Sequence, residues 1–120
     1  MNPKKAKIEP LSCGELSLST IKETTELLSG KWKLLIVGFL LGNGKTRFGD
    51  LLRGVEGVST KVLSLELQEL QRMNIVNRRV LDTRPLAVEY EVTELGRSLK
   101  SVLISIGNWG VEYKYHLSTK

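Results

Sequence analysis

The sequence predicts an α+β, mainly helical domain made of four helices, a two-stranded hairpin and a closing helix. Apolar residues recur at spacings of three and four in five separate segments, which is typical of half-buried helices. The period changes to two after Ile75, where Val88, Tyr90 and Val92 alternate with Glu89 and Glu91, which favours strands. The length of 120 residues, with 41% hydrophobic and 26% charged content, fits one domain with one core.

The ends of the chain are predicted to lie outside this domain. Residues 1–19 carry three lysines, two prolines and no sustained apolar period, so we expect a flexible arm. The folded domain is predicted over residues 20–115, with a tail over 116–120. No run of about 18 apolar residues and no signal-peptide stretch is visible, so we expect a cytoplasmic protein without a membrane partner.

The first two helices are predicted from short apolar faces. Residues 20–29 place Ile21, Thr25 and Leu28 on one side, and Gly30 stops the helix. Residues 32–41 form a buried helix that the glycine-rich run 42–44 ends.

The next two helices are predicted from their caps. Thr46 is the expected N-cap of a short third helix with Phe48 and Leu51 turned inward. Ser59 is the expected N-cap of a fourth helix that reaches about Asn74. The core face of this fourth helix comprises Leu63, Leu67, Leu70 and Met73.

The last part of the chain is predicted to form a hairpin and one long helix. Two strands flank a loop over 82–87, and Thr93 caps a helix of about five turns. Its apolar stripe comprises Leu95, Leu99, Val102, Leu103, Ile106, Trp109 and Tyr113. One small core cannot cover so long a stripe, which favours a partner subunit.

This order of elements is that of a winged helix-turn-helix with a helix added at each end. In such a fold two consecutive helices form the helix-turn-helix and the hairpin supplies a wing. The fourth helix is therefore the element to examine for contacts with DNA.

The polar side of the fourth helix has residue types that suit a DNA major groove. Lys61, Ser64, Gln68 and Gln71 share one face, and Ser59 and Thr60 lie in or beside the first turn. Lysine can donate to guanine, glutamine can pair with adenine, and hydroxyl groups can contact either base. The alternative is a helix face that is merely solvated.

The charge distribution is compatible with the same partner. Residues 31–84 contain ten basic and five acidic side chains, an excess of five that equals the net charge of the whole chain. Such a segment attracts polyanions, although an ordinary solvated basic surface would have the same composition. Arg84 at the predicted wing tip is a candidate contact to a minor groove or to a phosphate across it. Lys33 and Arg47 at helix starts are candidate contacts to the DNA backbone.

The sequence contains few of the residue types that enzymes use for catalysis. The single histidine, His116, is expected in the tail as a solvated residue, and the single cysteine, Cys13, lies in the opposite arm. No nucleophile and base pair is visible, and a zinc site would need carboxylates almost alone. We therefore expect no enzyme, no metal and no cofactor.

Several motifs of the chain resemble the HxlR-type family of winged-helix regulators, which is related to the MarR group. They are the run 27–33 (LLSGKWK), the run 47–51 (RFGDL), Val62-Leu63 with Leu67 and Leu70, the run 88–96 with its Val-Glu-Tyr-x-Val-Thr-x-Leu-Gly pattern, and Trp109-Gly110. The similarity extends over about residues 20–113.

The resemblance implies a homodimeric transcriptional regulator that binds a palindromic operator in double-stranded DNA. It implies a dimer interface built mainly from the terminal helices, and it assigns no small-molecule effector. The interface residues expected on this basis are Ile21, Leu28, Leu99, Leu103, Ile106 and Trp109, of which those in the last helix are shared between core and interface.

Two positions depart from the family pattern. Many members sense oxidants through a cysteine just before the first helix, where this chain has Ser19. Cys13 is a displaced candidate for a redox thiol only if its surroundings lower its pKa, and an unremarkable cysteine is the simpler interpretation. The second departure is Leu65-Glu66 on the fourth helix, where a carboxylate facing the backbone would repel phosphate and a leucine can contact a thymine methyl group or cover the core.

Two hypotheses of different classes follow. The leading one is a sequence-specific, DNA-binding transcriptional regulator. The alternative is a winged-helix module that binds proteins without sequence-specific DNA binding, with Leu65 and Glu66 at the protein-binding surface.

Overall fold

The structure, a computed structural model, describes residues 17–119. The chain divides after Gly30 into two compact units. The first unit contains helix α1 (Leu18–Leu27), in which Ser17 is the N-cap and accepts from the Thr20 N–H. Lys22 and Glu26 form an exposed ion pair one turn apart on this helix. The predicted arm, including Cys13, lies almost wholly outside the described residues.

The second unit contains five helices and three strands. They follow in the order α2 (Lys33–Asn43), β1 (Thr46–Arg47), α3 (Phe48–Gly54), α4 (Thr60–Arg72), β2 (Val76–Leu81), β3 (Ala87–Val92), α5 (Glu94–Arg97) and α6 (Lys100–Ser118). The strands form one antiparallel sheet in the order β1-β3-β2. This is the architecture of a winged helix-turn-helix, as the sequence predicted.

The core of this unit lies where α2, α3 and α4 meet the inner face of the sheet. Its fully buried side chains are Ile36, Val37 and Leu40 of α2, Leu51 of α3, Leu63, Leu67 and Leu70 of α4, and Val76 of β2. The three leucines of α4 lie four and three residues apart and so form one stripe along the helix. This stripe determines which side of α4 is turned outward.

Helix α4 is closed at both ends by local hydrogen bonds. The predicted cap Ser59 is confirmed, because its hydroxyl accepts from the Val62 N–H at 3.2 Å. At the other end Asn74 has a positive φ of 63°. The Ile75 N–H then reaches back to the Leu70 carbonyl at 2.9 Å, and the Asn74 N–H to the Gln71 carbonyl. These two bonds form a Schellman motif, in which asparagine tolerates the left-handed backbone.

The prediction for Thr46 was wrong. Thr46 lies in the short strand β1 opposite Tyr90, it is buried, and its hydroxyl donates to the Gly44 carbonyl at 2.8 Å. The N-cap of α3 is Arg47, which makes no side-chain capping bond. A two-residue strand has too short an alternation to be seen in the sequence, and it forms only because β3 offers an edge.

The single long C-terminal helix was also predicted incorrectly. Thr93 does act as an N-cap and accepts from the Gly96 N–H at 2.9 Å, but it caps the four-residue helix α5. The Ser98 and Leu99 N–H groups bond to the carbonyls of Leu95 and Gly96, three residues back, and the Ser98 hydroxyl also donates to Leu95. These tighter turns separate α5 from α6. Helix α6 continues to Ser118, so His116 lies in its last turn.

Gly96 lies at a close approach between α5 and the end of α4. The Ile75 carbonyl accepts from the Thr93 N–H at 2.9 Å, and the Thr93 hydroxyl donates to the Asn74 carbonyl at 2.8 Å. A Cβ at Gly96 would overlap that Ile75 carbonyl oxygen and press on Val92. The absence of a side chain at Gly96 therefore lets the chain return beside α4 after the sheet.

An ion pair between distant parts of the sequence fixes α4 to α2. Lys33 Nζ donates to Glu66 Oε1 at 2.8 Å, and the two side chains are only 12% and 20% exposed. The other ion pairs within the described chain join residues three or four apart. This pair is therefore the one that joins different helices. No helix of the described chain is both long and apolar enough to cross a membrane.

We expect Gly96→Ala to lower the free energy of unfolding by about 1–3 kcal/mol, because the added methyl meets backbone that cannot move aside. The matched control is Gly42→Ala, where an added Cβ meets nothing within 4 Å. Gly42 lies in α2, so alanine there should stabilise by about 0.5–1 kcal/mol. Urea unfolding at one protein concentration measures both. An unfolding free energy for Gly96→Ala equal to that of the wild type would contradict the close approach.

We expect Lys33→Met to lower the free energy of unfolding by about 1–3 kcal/mol, because it leaves the Glu66 carboxylate largely buried without its partner. The double variant Lys33→Met/Glu66→Leu should lose less than the sum of the two single variants, with a coupling of at least about 0.5 kcal/mol. The control Lys22→Met removes an exposed partner of Glu26 and should change stability by less than about 0.5 kcal/mol. Strict additivity in the cycle would show that the pair is not formed in solution.

Candidate DNA-binding surface

The candidate surface begins with the side of α4 that faces away from the core. Lys61, Leu65 and Gln68 lie on this side and are all exposed. At about 100° per residue, Leu65 points almost opposite to the buried stripe of Leu63, Leu67 and Leu70. Lys61 precedes it by one turn and Gln68 follows it by nearly one turn. Lys61 to Gln68 therefore spans about 10 Å along the helix axis.

The polar face predicted from the sequence is divided between two surroundings. Ser59, Thr60, Lys61 and Gln68 are exposed, whereas Ser64 and Gln71 are half-buried. Ser64 and Gln71 lie closer to the core stripe, and together with Gln68 they line a groove beside α4. The Gln71 amide donates to the Leu67 carbonyl at 3.3 Å. The outward face is thus narrower than expected and has Leu65 at its centre.

The groove beside α4 has a volume of about 870 Å³ and lies between α4, the start of α3 and the wing. Arginines enter it from three elements: Arg47 from β1, Arg53 from α3 and Arg78 from β2. Of these, Arg53 forms an exposed ion pair with Asp50, which also lines the groove. The groove is therefore a polar, mainly basic surface that continues the outward face of α4.

Arg53 and Arg78 were not among the site residues selected from the sequence. For Arg78 a partial signal existed, because Arg78 and Arg79 alternate on a strand and only one of them can face the helices. The structure places Arg78 opposite Tyr90, which is buried, and puts Arg78 in the groove. Nothing in the sequence pattern indicated that Arg53 reaches the groove, because its position there depends on how α3 packs against the sheet.

The acidic side chains that α3 and α4 contribute to this surface are compensated by neighbouring bases. Asp50 pairs with Arg53, Glu69 with Arg72, and Glu66 with Lys33. Over residues 17–119, the basic groups Arg47, Lys61, Arg78 and Arg84 have no carboxylate within 4 Å. These cations are therefore available to a polyanion.

Lys33 and Glu66 have positions that the sequence alone did not indicate. Lys33 is the first residue of α2, as expected, but its ammonium group contacts Glu66 and is largely buried. It is therefore not brought to the open surface. Glu66 in turn faces α2, so its carboxylate is not presented on the outward side of α4.

The wing is the hairpin of β2 and β3. Val80 pairs with Val88 and Leu81 with Ala87, and a five-residue loop joins the two strands. Arg84 is exposed in this loop, where the Thr83 hydroxyl donates to the Pro85 carbonyl at 2.7 Å. The loop therefore presents one long cation at its tip, as the sequence predicted.

The residues expected in a dimer interface fall into two groups. In α6 and just before it, Leu103 and Leu99 pack against the core of their own subunit, whereas Ile106 and Trp109 are 53% and 63% exposed. Trp109 stacks on Tyr113 with ring centroids 5.1 Å apart. In the first unit, Ile21 and Leu28 are half-buried. The described residues contain no cluster of three His, Cys, Asp or Glu side chains that could hold a metal ion.

The chain is similar to several regulators of known sequence. It is 37% identical over 106 residues to the HTH-type transcriptional regulator YkvN of Bacillus subtilis, covering 88% of this chain and 84% of YkvN. It is 34% identical over 94 residues to the HTH-type transcriptional regulator YdeP of the same organism, covering 78% and 73%.

Solved structures agree with this similarity. The redox regulator HypR in its reduced form superposes with a TM-score of 0.75 at 31% identity, covering 84% of this chain and 99% of HypR. The reduced form of the transcriptional regulator YodB from B. subtilis superposes with a TM-score of 0.67 at 30% identity, covering 82% and 91%. The model of the HxlR-like helix-turn-helix family matches residues 27–118. The chain therefore belongs to the HxlR-like family of helix-turn-helix transcriptional regulators.

Proposed function

We propose that this regulator binds a palindromic DNA operator sequence-specifically as a homodimer, with α4 in the major groove. The observation that carries the proposal is the outward side of α4, where Lys61 and Gln68 are exposed and flank Leu65. Lysine and glutamine are residue types that discriminate between bases. The span of about 10 Å from Lys61 to Gln68 corresponds to about three base-pair steps of 3.4 Å.

The groups around α4 suit contacts with the DNA backbone. Arg47 and Arg78 border the helix on the groove side, and Arg84 extends the basic surface to the wing tip. Ser59 and Thr60 lie at the N-terminus of α4, where free N–H groups and the helix dipole favour a phosphate. In this proposal these residues set the affinity, and Lys61, Gln68 and Ser64 contribute to the choice of sequence.

The homodimer is proposed from the second half of α6. Residues 104–118 extend about 22 Å beyond the last side chain that packs on the core, Leu103. Ile106, Trp109 and Tyr113 continue the stripe begun by Leu99 and Leu103, and all three are about half exposed or more. Contiguous exposed apolar surface of this kind is typical of a subunit interface. The terminal helix α1, with Ile21 and Leu28, is proposed to complete it.

In this proposal the protein catalyses no reaction and acts in the cytoplasm. It is not proposed to be an enzyme, because its relatives are named as transcriptional regulators. The proposed role of Cys13 stays that of an ordinary cysteine, with redox sensing as the alternative.

A second candidate function is a protein-binding module, which the 54% exposure of Leu65 at the centre of α4 favours. Titration with genomic DNA fragments at low and moderate salt separates the two functions. A DNA-binding regulator loses affinity steeply as salt rises and retains selected fragments over random duplex. Affinity that is equal for selected and random fragments would exclude the sequence-specific function.

We expect Lys61→Ala and Gln68→Ala to relax the preference for particular base pairs by about 1–3 kcal/mol each, because each removes a base contact. Arg84→Ala should weaken binding of all sequences and reduce the salt slope by about one. Competition binding between the operator and single-base variants measures both effects. The control Lys100→Ala removes the same charge at an exposed position of α6 and should change neither base preference nor affinity by more than about twofold. Unchanged preferences in both α4 variants would refute base recognition by this face.

We expect Ile106→Glu and Trp109→Glu to shift the protein from dimer to monomer in sedimentation experiments, because a carboxylate would be buried in the apolar interface. The monomer should bind the operator at least about tenfold more weakly, since each molecule then uses one half-site. The control Asn108→Glu places the same charge on the opposite, exposed side of α6 and should leave the dimer intact. A wild-type protein that sediments as a monomer at micromolar concentration would contradict the proposal.

A further inference from the structure

The exposed position of Leu65 is not explained by any contact within its own subunit. It is 54% exposed, although it lies in the middle of a 13-residue helix whose other leucines, Leu63, Leu67 and Leu70, are buried. A side chain that served only to cover the core would point toward the stripe rather than away from it. A solvated position would instead be expected to hold a polar residue, as Lys61 and Gln68 do on the same side.

The outward direction of Leu65 is set by its neighbour in sequence. Glu66 is held on the α2 side of α4 by its bond to Lys33 at 2.8 Å, and the three buried leucines fix the side that faces away from Leu65 in the core. Rotation of α4 about its axis would break the ion pair or expose the stripe. Leu65 is therefore presented in one defined direction, between Lys61 and Gln68.

We propose that Leu65 is a specificity-determining residue that contacts the C5-methyl group of a thymine in the major groove of each half-site. The inference rests on the proposed function and deepens it. Of the groups that base pairs display in the major groove, the thymine methyl is the apolar one. An apolar side chain between two hydrogen-bonding ones then distinguishes T·A from C·G, because cytosine carries no methyl group and presents an N–H donor.

The test removes the methyl group from the DNA and the side chain from the protein in a double-substitution cycle. An operator is first selected from genomic fragments, and each thymine of a half-site is replaced by uracil, which keeps the same hydrogen-bonding groups. Wild-type protein should lose about fourfold in affinity at one such position per half-site, the ratio that corresponds to burial of one methyl group. Leu65→Ala removes the side chain from both subunits of the homodimer. It should therefore bind the thymine operator about sixteenfold more weakly, about fourfold for each half-site, and should be insensitive to uracil at that position.

Two controls keep the result interpretable. Leu95→Ala truncates another half-exposed leucine, at 52% exposure in α5, and should retain the full sensitivity to uracil. Leu65→Ala should fold normally, since alanine favours a helix and the replaced side chain is exposed, and circular dichroism checks this.

The outcomes separate this inference from the proposed function. Loss of the uracil effect in Leu65→Ala alone supports the inference. Uracil sensitivity that persists in Leu65→Ala, or no sensitive thymine in an operator that is still bound sequence-specifically, would overturn the inference while leaving the proposed function intact. Equal affinity for the operator and for random duplex would overturn both. A Leu65→Ala variant with unaltered DNA binding that fails to bind a protein partner would assign Leu65 to a protein surface and reject the inference.

Discussion

The packing of α4 against α2 and the sheet is the constraint on which the rest of the structure depends. Leu63, Leu67 and Leu70 are fully buried, and each such side chain contributes roughly 1.5–3 kcal/mol when it leaves water. Because these residues lie on one side of the helix, their burial also decides what the other side presents. The candidate DNA-binding surface is thus the outer side of the same packing arrangement that stabilises the domain.

Polar interactions refine this arrangement rather than create it. The Lys33–Glu66 pair limits rotation of α4, and the Schellman turn at Asn74 directs the chain into β2. Thr93 then joins the end of β3 to the carbonyls that follow α4, next to the close approach at Gly96. These contacts connect α4, the wing and the start of α5 in a small region.

Ion pairing of the acidic side chains determines which charges the candidate surface leaves without a partner. Acidic groups occur on α3 and α4, but Asp50, Glu66 and Glu69 each lie against a base. The cations without such a partner include Lys61 on the outward side of α4, Arg47 and Arg78 on the groove side, and Arg84 at the wing tip.

The sequence by itself determined the order of elements, the cap at Ser59, the buried leucine stripe and the position of Arg84 at the wing tip. These follow from period, capping residues and turn residues, which are local and therefore legible in a linear pattern. It could not indicate strand β1, the break before α6, the burial of Lys33 or the approach of Arg53 and Arg78 to the groove. Those features depend on contacts between residues far apart in the chain, such as Lys33 with Glu66 and Thr46 with Tyr90, and only the tertiary structure decides which distant groups meet.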